Sequence, residues 1–229
     1  REFSLTAKPH CPHPITDLKR FLMLGKTHIS FGLGLSACGI VSFNTFSQAP
    51  LNGIDLGIFY GAVALGSLLP DIDEPNSLLG KKTLGISNLI KAVFGHRGFT
   101  HSLCFILLLG IALLFLGTLD ESFWKKIPLI NDFVKQFGGI IESKNIEIFS
   151  IGLLLGCIFH LIGDMMTLSG VPLLLPFKSC NYHITPSFMR FKTGGIPDKL
   201  ITALSLGIFG YLNLELLGFS ANLKGYLPF

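Results

Sequence analysis

Charge is scarce in this chain. Lysine, arginine, aspartate and glutamate make up 14% of its 229 residues, where soluble domains carry about 25%. With 49% hydrophobic residues and a mean hydropathy of +0.59, that shortage excludes an ordinary water-soluble domain. Paired cysteines are missing as well. Cys11, Cys38, Cys104, Cys157 and Cys180 form no CxxC pair, and three of the five lie in apolar runs, where a thiol acts as a small hydrophobe. An odd count without a pattern does not indicate a disulfide framework, and it argues against a thiolate metal centre. No short apolar segment followed by a small-residue cleavage site precedes the domain, so no cleavable signal peptide is expected.

The length suits one domain. Residues 1–22 differ from the rest: they hold Pro9, Pro12, Pro14, His10 and His13 and have no sustained periodicity. They read as a disordered or upstream extension, with Met23 as a natural start and residues 23–229 as one membrane-embedded domain. His10 and His13 are set aside with that extension.

What the chain does have is long apolar runs. Ile29–Phe46, Ile54–Leu69, Leu103–Leu119, Ile146–Gly163 and Leu200–Phe219 approach the roughly 20 residues, about 17 at minimum, that cross a bilayer. The expected fold is therefore all-α: a multi-span transmembrane helical bundle of about five spans. Five spans put the N-terminus and the 70–101 and 164–199 loops on one side, with 13 basic residues against 5 on the other. Without residues 1–22 the split is 9 to 5. Basic residues favour the cytoplasmic face, so an inner-membrane protein with that side in the cytoplasm is expected. The small-residue pairs Gly57/Gly61 and Gly152/Gly156 are candidate points of close helix approach.

Polar residues border these runs in a pattern. His28 precedes the first run, and Asp71 and Asp73, in LLPDIDEP, end the second. His96 and His101, in GHRGFTHS, begin the third, while His160 and Asp164, in CIFHLIGD, end the fourth. The topology places all seven at one membrane face, and residues 120–145 on the opposite side supply no histidine. His160 and Asp164 are four apart and project from one helix face. A histidine inside an apolar run is costly and often functional. If the Asp71–Asp73 segment is extended, both carboxylates point the same way and repel each other unless a cation neutralises them. Taken singly, each residue has an ordinary reading, as an interfacial histidine, a solvated loop acid or a satisfied bundle histidine. Their convergence points to a metal or catalytic site. His183, in the 164–199 loop, reads as a solvated loop histidine.

The stretches GKTHISFG (25–32), LLPDIDEPNSLLG (68–80), FGHRGFTHSL (94–103) and FHLIGDMMTLSGVPLLLPF (159–177) resemble the YdjM-like family of bacterial inner-membrane proteins. That family is described as LexA-binding and as metal-dependent hydrolases. The resemblance covers most of residues 23–180, while the last fifty carry only a generic match. It implies a helical membrane hydrolase whose divalent metal is held by His28, Asp71, Asp73, His96, His101, His160 and Asp164. Mixed histidine and carboxylate donors suit Zn²⁺, with Mn²⁺ or Fe²⁺ as alternatives, better than Ca²⁺, and seven donors suffice for one ion or two.

The expected chemistry is hydrolysis of a phosphoester or other ester of an amphiphilic or lipid-like substrate by metal-activated water. Asp73 or His96 would take the proton, and Arg97, Lys81 and Lys82 would hold an anionic group. Expected partners are membrane lipid and a small-molecule or lipid substrate, with no direct nucleic-acid binding. The alternative is a non-enzymatic membrane regulator or scaffold that binds a cytoplasmic protein such as a LexA-type repressor. A metal transporter fits less well, because transport sites lie near the bilayer midplane and these residues lie at span ends.

Overall fold

A computed structural model describes residues 25–46, 51, 53–83, 85–94, 98–118 and 143–216. The described residues form six α-helices: α1 (Gly25–Phe46), α2 (Gly53–Gly66), α3 (Ile86–Phe94), α4 (Leu103–Thr118), α5 (Ser143–Met165) and α6 (Ile196–Leu216). Short 3-10 turns at Leu69–Asp73, Gly80–Lys82, Phe99–His101 and Ser187–Met189 join them. Two isolated β-bridges, Thr167 with Phe191 and Val171 with Tyr182, fasten the loop between α5 and α6. Leu103 N–H donates to the Leu173 carbonyl at 2.9 Å and ties that loop to the start of α4.

Five of these helices fall on the five apolar runs. Three of them, α1, α5 and α6, are long and apolar enough to cross a membrane. The other two, α2 with 14 residues and α4 with 16, are shorter apolar helices. At 1.5 Å per residue they rise about 21 and 24 Å, short of a hydrocarbon core of about 30 Å. The chain is an all-α membrane bundle. Its burial pattern shows why the membrane is its solvent. No residue of α4 is buried, and Leu107 and Leu114 are 66% and 74% exposed. Such surface is unfavourable in water and neutral in lipid, where each helix satisfies its own backbone. By contrast, the buried side of α1 consists mainly of small and polar residues: Thr27, His28, Ser30, Gly32, Gly34, Ser36 and Ala37. Ser36 meets its hydroxyl requirement on the Gly32 carbonyl one turn back, at 2.7 Å.

The main seams are α2 against α5 and α1 against α6. The first is made of glycine. A Cβ on Gly66 would strike the Leu153 backbone, and one on Gly156 would strike the Val63 carbonyl. Gly152 meets Phe59 in the same way. Without side chains the two backbones can pack at this distance, as small residues allow between membrane helices. Gly152/Gly156 therefore serves the close approach expected of it. Gly57/Gly61 does not, since an added Cβ at either position would meet nothing within 4 Å. At the far end of the same seam Lys144 Nζ donates to Asp55 Oδ2 at 2.7 Å.

Three local features depart from expectation. The 70–101 loop contains the helix α3. Asp71 and Asp73 lie in a 3-10 turn, not an extended segment. Cys180 is disulfide-bonded, whereas Cys38, Cys104 and Cys157 are free.

Candidate metal centre

Six of the sequence-nominated residues meet at one end of the bundle. His28 lies in the first turn of α1, which starts before the expected Ile29. Asp71 and Asp73 come from the turn after α2, which Pro70 enters near its beginning. His101 ends the turn before α4, and Ser102 follows it as a cap, with its Oγ accepting Phe105 N–H at 3.2 Å. His160 and Asp164 stand one turn apart near the end of α5. Below them Thr167 donates to the Asp164 carbonyl at 2.8 Å and closes that helix end. All six side chains are buried. His96 and Arg97 lie outside the described residues. Lys81 and Lys82 are exposed beyond the turn that carries the aspartates, and His183 contacts the Leu168 carbonyl in the loop at 3.3 Å.

The 3-10 geometry gives the two aspartates different tasks. At about three residues per turn, residues two apart do not share a face, so Asp71 and Asp73 reach His101 from opposite sides of its ring. Asp71 Oδ1 is 3.5 Å from His101 Nε2, while Asp73 Oδ2 is 3.7 Å from Nδ1. Between Asp73 and His101 stands Thr100, which the sequence reading did not single out. Its Oγ1 donates to Asp73 Oδ2 at 3.0 Å and lies 3.2 Å from His101 Nδ1. A hydroxyl has a single proton. Having given it to Asp73, Thr100 can only accept from His101, which places the ring proton on Nδ1.

The same inventory applies to His160. Its Nδ1 is 2.7 Å from the Ser67 carbonyl, which only accepts, so the proton sits on Nδ1. With both rings neutral, the two Nε2 atoms carry bare lone pairs, and they face each other at 3.3 Å. Carboxylate oxygens close the ring. Asp71 Oδ1 is 3.7 Å from His160 Nε2, and Asp164 Oδ2 is 3.8 Å from the Nε2 of both His101 and His160. Four electron-pair donor atoms thus converge. A proton on either Nε2 would relieve one of these repulsions; a divalent cation would relieve all of them together. Ligand bonds of about 2.0–2.2 Å at tetrahedral angles set donor atoms about 3.3–3.6 Å apart, close to the separations found.

His28 completes the cluster. Its ring stacks on His160 with centroids 3.7 Å apart and planes 16° from parallel. Its Nε2 is 3.3 Å from Asp164 Oδ1, and neither ring nitrogen makes a hydrogen bond. His28, Asp71 and His160 each offer a ligand atom within 4.8 Å of the others, as do His101, His160 and Asp164. The histidines and aspartates are therefore close enough to hold a metal. Burial works to raise the Asp71 carboxyl, but the imidazoles of His160, His101 and His28, which carry protons in the acid range where the carboxyl titrates, outweigh it and hold the group at about 2. Asp71 is thus an ionised carboxylate at neutral pH.

Comparison with known proteins agrees with the membrane setting. The family described as "YdjM inner membrane protein" matches residues 23–219. "Inner membrane protein YdjM" of Escherichia coli (strain K12) is 34% identical over 156 residues, which is 68% of this chain and 67% of that protein. The Shigella flexneri protein of the same name matches equally. "Uncharacterized protein YvsG" of Bacillus subtilis (strain 168) is 32% identical over 181 residues, covering 79% of this chain and 88% of its own. No solved structure matches.

Proposed function

Since the chain belongs to the YdjM inner membrane protein family, we propose that it is a membrane-bound, metal-dependent hydrolase. Its centre holds one divalent cation, with zinc the best match to the mixed nitrogen and oxygen donors. The observation that carries this reading is the facing of His101 Nε2 and His160 Nε2 at 3.3 Å, with their ring protons committed elsewhere. His101, His160 and Asp164 are the ligands on this reading, which leaves a fourth position for water beside Asp71, and His28 stands next to them at Asp164 and His160. One ion is favoured over two, because both candidate donor sets share His160 and its second nitrogen is spent on the Ser67 carbonyl.

When bound, the cation would supply Lewis acidity, acidifying water and polarising an ester or phosphoryl oxygen at neutral pH. The chain's own groups have separate parts. Ser67 and Thr100 set the ring tautomers, and Asp73 backs His101 from behind, as carboxylates commonly back metal-binding histidines. Asp73 therefore supports a ligand and does not face the reacting centre as a base. Asp71, 5% exposed where the three histidines are fully buried, is the carboxylate best placed to take a proton from incoming water. The excess of basic residues on the site's side, 13 to 5, supports a cytoplasmic orientation.

The test is metal analysis of purified protein, followed by hydrolysis assays on phosphoesters and phospholipids with wild type, His101→Ala and Asp164→Ala. Metal bound at one equivalent, and turnover lost in both variants, is the expected result. Metal-free wild type that stays metal-free when zinc, manganese or iron is supplied would overturn the reading.

A further inference from the structure

The first half of helix α3 presents apolar side chains outward. The sequence ISNLI puts Ile86, Leu89 and Ile90 at helical spacing on one side. In a water-soluble protein that side would face the core. Here Ile86 and Leu89 are 57% and 65% exposed, while the polar Ser87 is 1% exposed. The inward side of α3 packs on the Leu69–Asp73 turn, which carries Asp71 and Asp73. The loop between α5 and α6, at the same end of the bundle, repeats the pattern. Phe177 and Phe188 are 89% and 84% exposed, beside the exposed Lys178 and Lys192.

Charge on the two segments has one sign. Residues 75–102 contain Lys81, Lys82, Lys91 and Arg97 and no acidic residue. Residues 166–197 contain Lys178, Arg190 and Lys192 and again no acidic residue. An amphipathic helix with apolar residues on one side and basic neighbours lies in the plane of a membrane interface, where its apolar side enters the acyl boundary and its cations meet anionic headgroups.

We propose that α3 and the 174–192 loop form a docking rim for anionic phospholipid at the end of the bundle that holds the metal centre. The rim deepens the hydrolase reading, because it would deliver a phosphodiester headgroup to Asp71 through the turn on which α3 rests. Its existence does not depend on catalysis.

The experiment uses the full chain in vesicles. Trp124 is replaced by Phe, and a single tryptophan is introduced as Leu89→Trp or, separately, Phe188→Trp. Both positions are exposed, so neither substitution disturbs packing. Emission is read in vesicles of phosphatidylcholine containing a minor fraction of brominated phosphatidylglycerol, or the same fraction of brominated phosphatidylcholine. Aqueous iodide is the opposing quencher. The expected result is blue-shifted emission at both sites, quenched by brominated lipid and resistant to iodide, with more quenching from brominated phosphatidylglycerol than from brominated phosphatidylcholine.

Water-like emission open to iodide would overturn the proposal. So would blue-shifted emission that brominated lipid leaves unchanged, since a protein partner or a second copy would then cover the face. Equal quenching by the two brominated lipids would overturn the anionic preference. These readings need neither bound metal nor turnover, so failure of the rim is distinguishable from failure of the hydrolase assignment.

Discussion

Thr100 offers a sharp test of how the centre is organised. Thr100→Val keeps the side-chain shape and removes the hydroxyl that donates to Asp73 at 3.0 Å and faces His101 Nδ1 at 3.2 Å. His101 Nδ1–H then has only Asp73 Oδ2, at 3.7 Å, which is too far for a good hydrogen bond. The ring is freed to rotate or to change tautomer, and the Nε2 lone pair is no longer held toward His160. Loss of such a supporting group lowers metal affinity about 10- to 100-fold, equivalent to about 1.4–2.8 kcal/mol. Thr100→Ser keeps the hydroxyl and loses only a methyl group, so its affinity should stay near that of wild type.

The assay is chelator competition on detergent-solubilised protein, giving Kd for zinc in all three forms. Unfolding of the metal-free proteins is measured in parallel. Deleting a buried hydrogen-bonding group costs about 1–3 kcal/mol of stability by itself, which the metal-free comparison removes. Equal zinc affinity in wild type and Thr100→Val would refute the proton inventory on which the ligand geometry rests. A loss in Thr100→Ser as large as in Thr100→Val would also refute it, because the hydroxyl would then not be the operative group.

Other consequences can be checked with the same preparations. His160→Ala should abolish metal binding, because its Nε2 is shared by both donor sets; equilibrium dialysis reads this directly, and retained stoichiometric metal would move the centre elsewhere. Gly156→Leu should lower the thermal midpoint sharply, by roughly 3 kcal/mol or more of stability, because its side chain must enter the Val63 carbonyl and the Ser67 backbone. Gly57→Leu should change stability by no more than about 0.5 kcal/mol, since nothing lies within 4 Å of its added Cβ; a large loss there would show that α2 has a partner on its open side. Asp73→Asn should weaken zinc binding less than Asp164→Ala does, in chelator competition, since Asp73 stands behind a ligand while Asp164 points its Oδ2 at two of them. The reverse order would return Asp73 to the ligand set.

How much of this was legible in the sequence depends on the range of the physics involved. The spans follow from composition and run length, because burial in lipid needs only apolar side chains and a helix that satisfies its own backbone. Topology then sends alternate span ends to one side, so gathering His28, Asp71, Asp73, His101, His160 and Asp164 at one end of the bundle was already determined by the chain. The pairing of His160 with Asp164 was readable too, since helical spacing is local.

What the tertiary structure alone decided is which atoms face each other. The turn at Leu69–Asp73 separates two aspartates that looked equivalent. Thr100 is adjacent to His101 in sequence, yet its role depends on Asp73, 27 residues away. The exposure of Leu89 and the burial of Ser87 reverse what the amphipathic pattern of α3 would mean in water. In each case the deciding contact joins segments far apart in the chain, and periodicity has no information about direction across that gap. Scarcity of charge placed this protein in the membrane; packing settled where its few charges point.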